Sequence, residues 1–288
     1  MQTLLADVAE LVRRALRLLP GSESPDWTST AAAVWRAGEL GGSLVAHPDI
    51  DRIGLDDLLC IDDQKAALVR NTRQFLAGVP ANNALLWGAR GTGKSSLVHA
   101  LLDAYYDQGL RLIEVDKRSL ARLPEIALAV RDAPYRFLFF CDDLSFEADD
   151  PSYKALKSAL EGSIFRSSEN VLIYATSNRR HLLPEYMADN EQARFRDGEL
   201  HQSEAVEEKI SLSDRFGLWL SFYPFKQDDY LHVAEHWVTQ LAAKSGLSTG
   251  WDDDARAEAL RWALARGVRS GRTAQHFARH WVGSRLVG

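Results

Sequence analysis

The stretch that decides the fold is Gly88-Ala89-Arg90-Gly91-Thr92-Gly93-Lys94-Ser95, with Ser96 following it. It comes directly after the apolar run Ala84–Trp87 and opens a predicted helix. Its spacing matches the pattern Gly-x-x-x-x-Gly-Lys-Ser/Thr, in which glycines let the backbone curl so that its N–H groups point at phosphate oxygens. The positive N-terminal end of the helix adds to the attraction for an anion. A strand, a phosphate-binding loop and a helix are therefore predicted here rather than a chance glycine-rich turn.

Two side chains of this loop are suited to nucleotide chemistry. Lys94 can reach the β- and γ-phosphates of a nucleotide, and the Ser95 hydroxyl can ligate Mg²⁺. The segment from Gly88 to Ser96 is therefore predicted to bind ATP or ADP together with Mg²⁺.

Acidic and amide side chains stand at the tips of two apolar runs farther along the chain. Phe137–Cys141 is followed by Asp142 and Asp143, and the run that begins at Val171 leads to Asn178. In parallel α/β sheets the ligand binds at the carboxyl edge of the strands. We therefore expect Asp142 to hold Mg²⁺ through water, Asp143 to deprotonate an attacking water, and Asn178 to help fix that water. Ordinary turns at the two strand ends are the simpler alternative.

The middle of the chain alternates strand-sized apolar runs with helical segments. Strands buried on both faces read as continuous apolar runs, and helices between them imply parallel crossovers. The predicted strands are Ala84–Trp87, Leu110–Val115, Phe137–Cys141, Val171–Ala175 and Leu218–Tyr223. After Pro224 the strand signal ends, and helices are predicted over Gln227–Lys244, Asp253–Ala265 and Thr273–Val282.

An N-terminal extension precedes this region. Apolar residues from Leu4 to Leu19 recur at helical spacing, and a second, weaker helix is predicted over Ala31–Glu39. The predicted division of the chain is an N-terminal helical extension (1–50), a nucleotide-binding core (51–224) and a small helical domain (225–288).

Composition indicates a cytoplasmic protein that does not enter a membrane. Apolar residues make up 46% of the 288 residues and charged residues 26%, which is ordinary for a globular domain. No apolar run approaches the roughly 18 residues that cross a bilayer. Asp7 and Glu10 interrupt the first apolar run, unlike a signal peptide. Cys60 and Cys141 show no disulfide or ligand spacing and are expected to be free thiols.

Charge is distributed unevenly along the chain. The net charge is −6, yet residues 255–288 hold seven arginines against Glu258 alone, a balance of +6. This basic stretch is either a solvated helix face or a surface for phosphates or an acidic neighbour.

The order of these motifs resembles the AAA+ ATPase superfamily. The resemblance implies a P-loop α/β fold, with a parallel five-stranded sheet sandwiched by helices and a C-terminal helical lid, and it implies assembly into an ATP-dependent homo-oligomer. The segment from Ile53 to Asp62 looks like the part that lines the adenine pocket in that superfamily, which suggests contacts from Leu59 and Ile61. Cys60 stands where glycine is usual.

The resemblance also suggests roles for two arginines. Ser213-Asp214-Arg215-Phe216-Gly217-Leu218 looks like the arginine-finger segment of replication initiators and helicase loaders, so Arg215 would reach the γ-phosphate bound by a neighbouring subunit. Arg272 looks like the second sensor that couples the lid to the nucleotide, with Arg269 as a rival for that role.

More narrowly, several runs are similar to a bacterial AAA+ family known as the domain of unknown function 815, over roughly residues 50 to 285. The runs are residues 82–96, 141–147, 174–185 and 208–218. The sequence departs from most AAA+ proteins in carrying Asp143 where glutamate is usual, which suggests slow turnover. The loop Asp116–Ser119 has no aromatic residue, which disfavours a protein-threading unfoldase.

Three functions stay open at this point. The first is an oligomeric ATPase that performs conformational work on an unknown partner. The second is a slow, ATP-gated adaptor or loader that binds a protein or DNA partner. The third and weakest is a P-loop kinase for a small molecule, because no sequence feature indicates a pocket for a phosphate acceptor.

Overall fold

The computed structural model of the protein describes residues 25–38, 41–47, 53–147, 150–161, 169–180, 182, 194–196, 199–201, 212–247 and 251–287. Across these residues no helix is both long enough and apolar enough to cross a membrane. The predicted helix from Leu4 to Leu19 lies outside the described residues.

A mostly parallel sheet of seven strands forms the centre of the molecule. The strands are β1 (Ala32–Gly38), β2 (Gly41–Ala46), β3 (Ala84–Gly88), β4 (Leu110–Glu114), β5 (Arg136–Cys141), β6 (Val171–Ser177) and β9 (Leu218–Phe222). Their order is β2-β1-β4-β5-β6-β3-β9. Two short strands, β7 (Arg194–Arg196) and β8 (Glu199–His201), pair antiparallel in a sheet of their own.

All five predicted strands are confirmed, and every pair among them is parallel. Side chains alternate between the two faces of the sheet, as the period of two in a strand requires. In β5, for example, Phe137 and Phe139 pack in one core, whereas Leu138 and Phe140 pack in the other. Burial on both faces is the reason that these strands read as unbroken apolar runs.

The predicted helix over Ala31–Glu39 is wrong, because Ala32–Gly38 form strand β1 and, with β2, an antiparallel hairpin. β1 also pairs parallel with β4, so the hairpin extends the sheet to seven strands rather than five. Alanine favours helix when only local preference counts. Here the backbone groups along the edge of β4 supply hydrogen-bond partners for β1, and this tertiary pairing overrides the local preference. The division of the chain into domains at residues 50 and 224 stays a proposal.

Helices cover both faces of the sheet. Helices α1 (Asp62–Leu76) and α2 (Lys94–Tyr105) pack on one face, and α3 (Leu123–Val130) and α4 (Pro151–Leu160) on the other. The core on the α1 and α2 side includes a buried polar network, in which the Tyr174 hydroxyl bonds to Asn71 Nδ2 at 3.0 Å and to Thr72 Oγ1 at 2.8 Å. This network ties α1 to strand β6.

The three helices predicted after Pro224 are present and are hereafter called the lid. They are α5 (Gln227–Lys244), α6 (Asp253–Arg266) and α7 (Gly271–Val287), and they share a third apolar core. The Asp252 carboxylate caps α6 by accepting a bond from the Ala255 N–H at 2.7 Å. The lid reaches the phosphate-binding loop directly, because the Arg272 N–H donates to the Gly91 carbonyl at 3.1 Å.

Candidate functional site

The glycine-rich loop links β3 to α2 and passes very close to its neighbours. Gly88 has φ of +129°, and a Cβ atom there would lie 1.9 Å from the Phe222 carbonyl oxygen on β9. Gly91 has φ of +75°, and a Cβ there would lie 2.9 Å from Ser270 Oγ in the lid. Only glycine satisfies both the backbone angle and the contact at these positions. The Ala89 N–H donates to the Phe222 carbonyl at 3.0 Å, which anchors the start of the loop to the sheet.

Lys94 lies inside the loop. Its ammonium donates to the carbonyls of Gly88 at 2.9 Å and Ala89 at 2.7 Å, and it approaches Asn178 Oδ1 at 3.3 Å. Burial lowers the pKa of Lys94, while the carboxylates of Asp142 and Asp143 act in the opposite direction. The ammonium is thus surrounded by oxygen atoms and lies beside the tip of the neighbouring strand.

The two acids at the tip of β5 contact different partners. Asp142 Oδ1 accepts a bond from the Ser95 hydroxyl at 2.6 Å and one from the Thr176 hydroxyl at 2.5 Å. The Asp143 N–H donates to Thr176 Oγ1 at 2.8 Å, and Asn178 Nδ2 donates to Asp143 Oδ1. Asp143 has φ of +49°, in the left-handed region that aspartate tolerates better than most residues. Thr176 therefore holds both acids in place.

The pair formed by the Ser95 hydroxyl and the Asp142 carboxylate fits a magnesium ion. Mg²⁺ prefers oxygen ligands and usually combines one or two protein groups with water and substrate phosphates. Among the described residues no group of three or more His, Cys, Asp or Glu side chains could hold a metal ion without further ligands. The donor set is thus that of an ion shared with a phosphate rather than that of a closed protein site.

A cleft of about 430 Å³ runs from the phosphate-binding loop to the lid. Of the predicted nucleotide-binding residues, Arg90, Gly91, Thr92, Gly93, Lys94, Ser95, Ser96, Leu59, Ile61 and Arg272 line it. Asp142, Asp143 and Asn178 line it too. Gly88 and Ala89 are not among its lining residues, although their carbonyls hold the ammonium of Lys94.

Apolar side chains form part of the cleft wall. Leu59 and Ile61 border it together with Leu58, Val233 and Trp237. The backbone between Leu59 and Ile61 turns through Cys60, whose φ of +62° is left-handed. Glycine adopts this angle without strain, so the structure gives a physical reason for glycine at this place in similar proteins. Trp237 comes from α5 of the lid and adds an aromatic surface to this part of the wall.

The two candidate arginines occupy different places. Arg272 lines the cleft at the start of α7, whereas its rival Arg269 is not among the lining residues. Arg215 does not line the cleft of its own chain either. It lies in the turn before β9 and forms an ion pair with Glu161, the residue that ends α4. A contact between Arg215 and a nucleotide would therefore have to involve a second copy of the chain.

Thr176, Trp237 and Gln275 are among the lining residues that the sequence analysis did not single out. Thr176 reads as an ordinary residue of a buried strand, and its role appears only when β5 and β6 are adjacent. Trp237 and Gln275 lie on lid helices far along the chain, and their helical pattern predicts a packed helix rather than a ligand contact. For Thr176 the available signal was its position at the tip of a strand, two residues before Asn178.

Solved structures support the fold. Orc1 of Aeropyrum pernix, determined in complex with DNA, aligns with a TM-score of 0.53 and 16% identity over 81% of this chain and 65% of that one. A point mutant of Thermotoga maritima RuvB aligns with a TM-score of 0.51 and 15% identity over 78% of this chain and 64% of that one. This chain thus spans less than two thirds of the length of either protein. At such identities the similarity concerns the fold alone.

No curated protein matches the sequence. The similar structures share the α/β fold that the motif order predicts. One family profile, described as "Protein of unknown function (DUF815)", matches residues 28–285. The match covers most of the chain, so the protein belongs to the DUF815 family, the narrower of the two resemblances expected from the sequence.

Proposed function

We propose that the protein is an ATPase that binds MgATP in the cleft and hydrolyses it to ADP and phosphate. The observation that carries the proposal is the contact of Ser95 with Asp142 at 2.6 Å, next to the contact between Asp143 and Asn178. A metal-binding pair and a water-positioning pair thus stand side by side at the end of a phosphate-binding loop. Hydrolysis of a phosphoanhydride needs both.

Each residue then has a defined task. The loop N–H groups and Lys94 bind the phosphates, and Ser95 and Asp142 hold Mg²⁺, which neutralises charge on the phosphates. Asp143 accepts the proton of the water that attacks the γ-phosphorus, and Asn178 orients that water. The bond from the γ-phosphorus to its bridging oxygen breaks, and ADP leaves. Leu59 and Ile61 would receive the adenine ring.

The same proposal includes a homo-oligomer whose sites form between subunits. Arg215 lies outside the cleft of its own chain, so it would act on the nucleotide of a neighbouring subunit after exchanging its ion pair with Glu161 for that contact. Its positive charge would stabilise the γ-phosphate in the transition state, an effect worth roughly 10³–10⁵ in rate where it has been measured. Arg272 would report the state of the nucleotide to the lid through its contact with Gly91.

The test measures ATP turnover per subunit against protein concentration, together with particle mass in ATP and in ADP. Turnover that rises as ATP drives assembly is the expected result. Arg215→Ala should lower turnover while nucleotide affinity stays unchanged, whereas Lys94→Ala should abolish binding. Turnover that is independent of concentration and unchanged in Arg215→Ala would remove the shared site from the proposal.

A second candidate is a slow, ATP-gated switch, and the geometry of Asp143 favours it. Its carboxylate is one methylene shorter than the usual glutamate, and Oδ1 already accepts a bond from Asn178. Both features work against rapid proton transfer, because a general base must lie within hydrogen-bond reach of the attacking water. The ATP-bound form would then hold a protein or DNA partner until hydrolysis releases it.

Asp143→Glu tests the switch. If the short side chain limits turnover, the glutamate variant should hydrolyse ATP faster than the wild type, with Asp143→Asn as the inactive control. A slower glutamate variant would show that aspartate suits this site.

We also infer that the protein works in the cytoplasm, which agrees with the free thiols of Cys60 and Cys141.

A further inference from the structure

The C-terminal part of the chain, residues 255–288, is basic while the rest is acidic. Residues 255–288 carry +6 and the whole chain −6, so residues 1–254 carry −12 (−6 minus +6). Every cation of the basic part that is fully charged at neutral pH is an arginine, and its single carboxylate, Glu258, is engaged by Arg261 at 2.7 Å. This charge distribution attracts polyanions to the surface formed by residues 255–288 and repels them from the remainder of the protein.

One face of helix α7 carries two of these arginines and two histidines in a line. Arg272, His276, Arg279 and His280 are exposed and follow one another at helical spacing, whereas Thr273, Ala274, Phe277 and Ala278 between them are buried. One turn of an α-helix rises about 5.4 Å, so arginine and histidine side chains recur at that interval along the face. The line begins at the nucleotide cleft, which Arg272 borders.

The neighbouring helix α6 adds a cation held by aromatic stacking. The guanidinium carbon of Arg266 lies 3.4 Å from the centroid of the Trp262 ring, and Trp262 is itself stacked with His280 at 4.8 Å. Stacking restricts the plane of a guanidinium group but leaves its N–H edge available for a phosphate. Arg266 and His280 thus join the two helices into one surface.

Packing against the described part of the chain does not require the glycine that stands in the same line. Gly283 lies in the interior of α7 one turn beyond Arg279, and a Cβ atom there would meet no atom of the described structure within 4 Å. Glycine inside a helix destabilises it, and alanine would fit the space. The missing side chain leaves room for another molecule to approach the helix backbone closely.

We propose that this face, formed by Arg266, His276, Arg279, His280 and Gly283, binds the phosphate backbone of a nucleic acid. Arg266 and Arg279 supply positive charge on adjacent helices, His276 and His280 supply ring N–H donors for phosphate oxygens, and the gap at Gly283 admits a phosphodiester chain. The acidic surface of a second copy is the main rival, but such a surface supplies no reason for the glycine. The inference goes beyond the proposed function, since binding here needs neither ATP nor hydrolysis.

The test is fluorescence anisotropy of labelled single-stranded and duplex DNA with the purified full chain, over a range of salt concentrations. Binding that weakens linearly in log salt is expected, because phosphate contacts release counterions. Arg279→Ala should reduce the slope by about one and affinity by about eightfold at 0.1 M salt, from 10 raised to the power 0.9. The matched control is Arg131→Ala, which removes an equally exposed charge at the end of α3.

Gly283→Gln separates binding from folding without changing the charge. It should raise the midpoint of thermal unfolding, because glutamine is the better helix former, and at the same time weaken DNA binding. Equal losses in Arg279→Ala and Arg131→Ala, or no binding at 50 mM salt, would overturn the proposal. So would an Arg279→Ala variant that loses self-association but binds DNA like the wild type. ATP turnover, measured in the same samples, tests the proposed function separately.

Discussion

Replacing Thr176 by valine tests whether one hydroxyl holds the acidic pair of the site. The side chain is 1% exposed, and valine has nearly the same shape, so the substitution removes little besides the hydroxyl. Two hydrogen bonds are lost, one to Asp142 Oδ1 at 2.5 Å and one from the Asp143 N–H at 2.8 Å. Each contributes about 1 kcal/mol net, and the exposed Asp142 carboxylate can recover a bond to water.

The expected loss is therefore about 2 kcal/mol, mainly because the partly buried N–H keeps no partner. This corresponds to a fall of about 4–8 °C in the midpoint of thermal unfolding for a chain of this size. The rate of ATP turnover should fall by up to about 100-fold, because a shift of about 1 Å in a catalytic group has that effect.

The measurements are differential scanning calorimetry and steady-state ATP hydrolysis. Thr176→Ser is the matched control, since it keeps the hydroxyl and should stay near the wild type in turnover. Valine and serine variants with the same midpoint and the same turnover would refute the role assigned to the hydroxyl.

Three further substitutions follow from the backbone and from burial. Cys60→Gly should be more stable than Cys60→Ala by about 1 kcal/mol in urea unfolding, because both lose the thiol but only glycine suits the left-handed φ; equal stabilities would argue against strain at this residue. Gly88→Ala should lower the free energy of unfolding by more than about 3 kcal/mol, because its Cβ would lie 1.9 Å from the Phe222 carbonyl oxygen. The control Gly246→Ala has open space around it and should lower the free energy of unfolding by only about 1 kcal/mol. Unfolding of both variants is monitored by circular dichroism. A small loss of stability in Gly88→Ala would contradict the close approach of Gly88 to Phe222. Burial raises the pKa of Tyr174 to about 12 from 10.0, so the neutral phenol is favoured in the folded state. The stability that the neutral Tyr174 phenol contributes is fully present below pH 10 and is lost as the pH rises through 12. By pH 11 the free energy of unfolding should have fallen by about 1 kcal/mol on this account. Tyr174→Phe should lose less stability than the wild type between pH 8 and 11, and an identical loss would be evidence against the shift.

Much of the sheet could be predicted because its strands are buried on both faces. An apolar run such as Leu110–Val115 carries that burial in its own composition, and the intervening helices imply the parallel arrangement. The hairpin of β1 and β2 could not be predicted in the same way. Residues Ala32 and Ala33 have no strong strand preference, and they form a strand because β4 would otherwise leave its edge unpaired.

The candidate site was likewise predictable only in part. Asp142, Asp143 and Asn178 could be anticipated, since the tips of parallel strands meet at one edge of the sheet. Thr176 and Trp237 could not. Their functions depend on which strand lies beside β5 and on where α5 passes over the cleft, and neither is encoded in the residues next to them.

The phosphate-binding loop is therefore what the sequence by itself determined, because its backbone angles need glycine at set intervals and its chemistry needs Lys94 and Ser95 directly after them. Only the tertiary structure decided how the lid closes over that loop and which arginine faces the cleft. The contact of Arg272 with Gly91 joins residues 181 positions apart (272 minus 91). Such a contact forms only when the third core packs α5, α6 and α7 together, because non-local packing, and not local preference, sets where each helix lies.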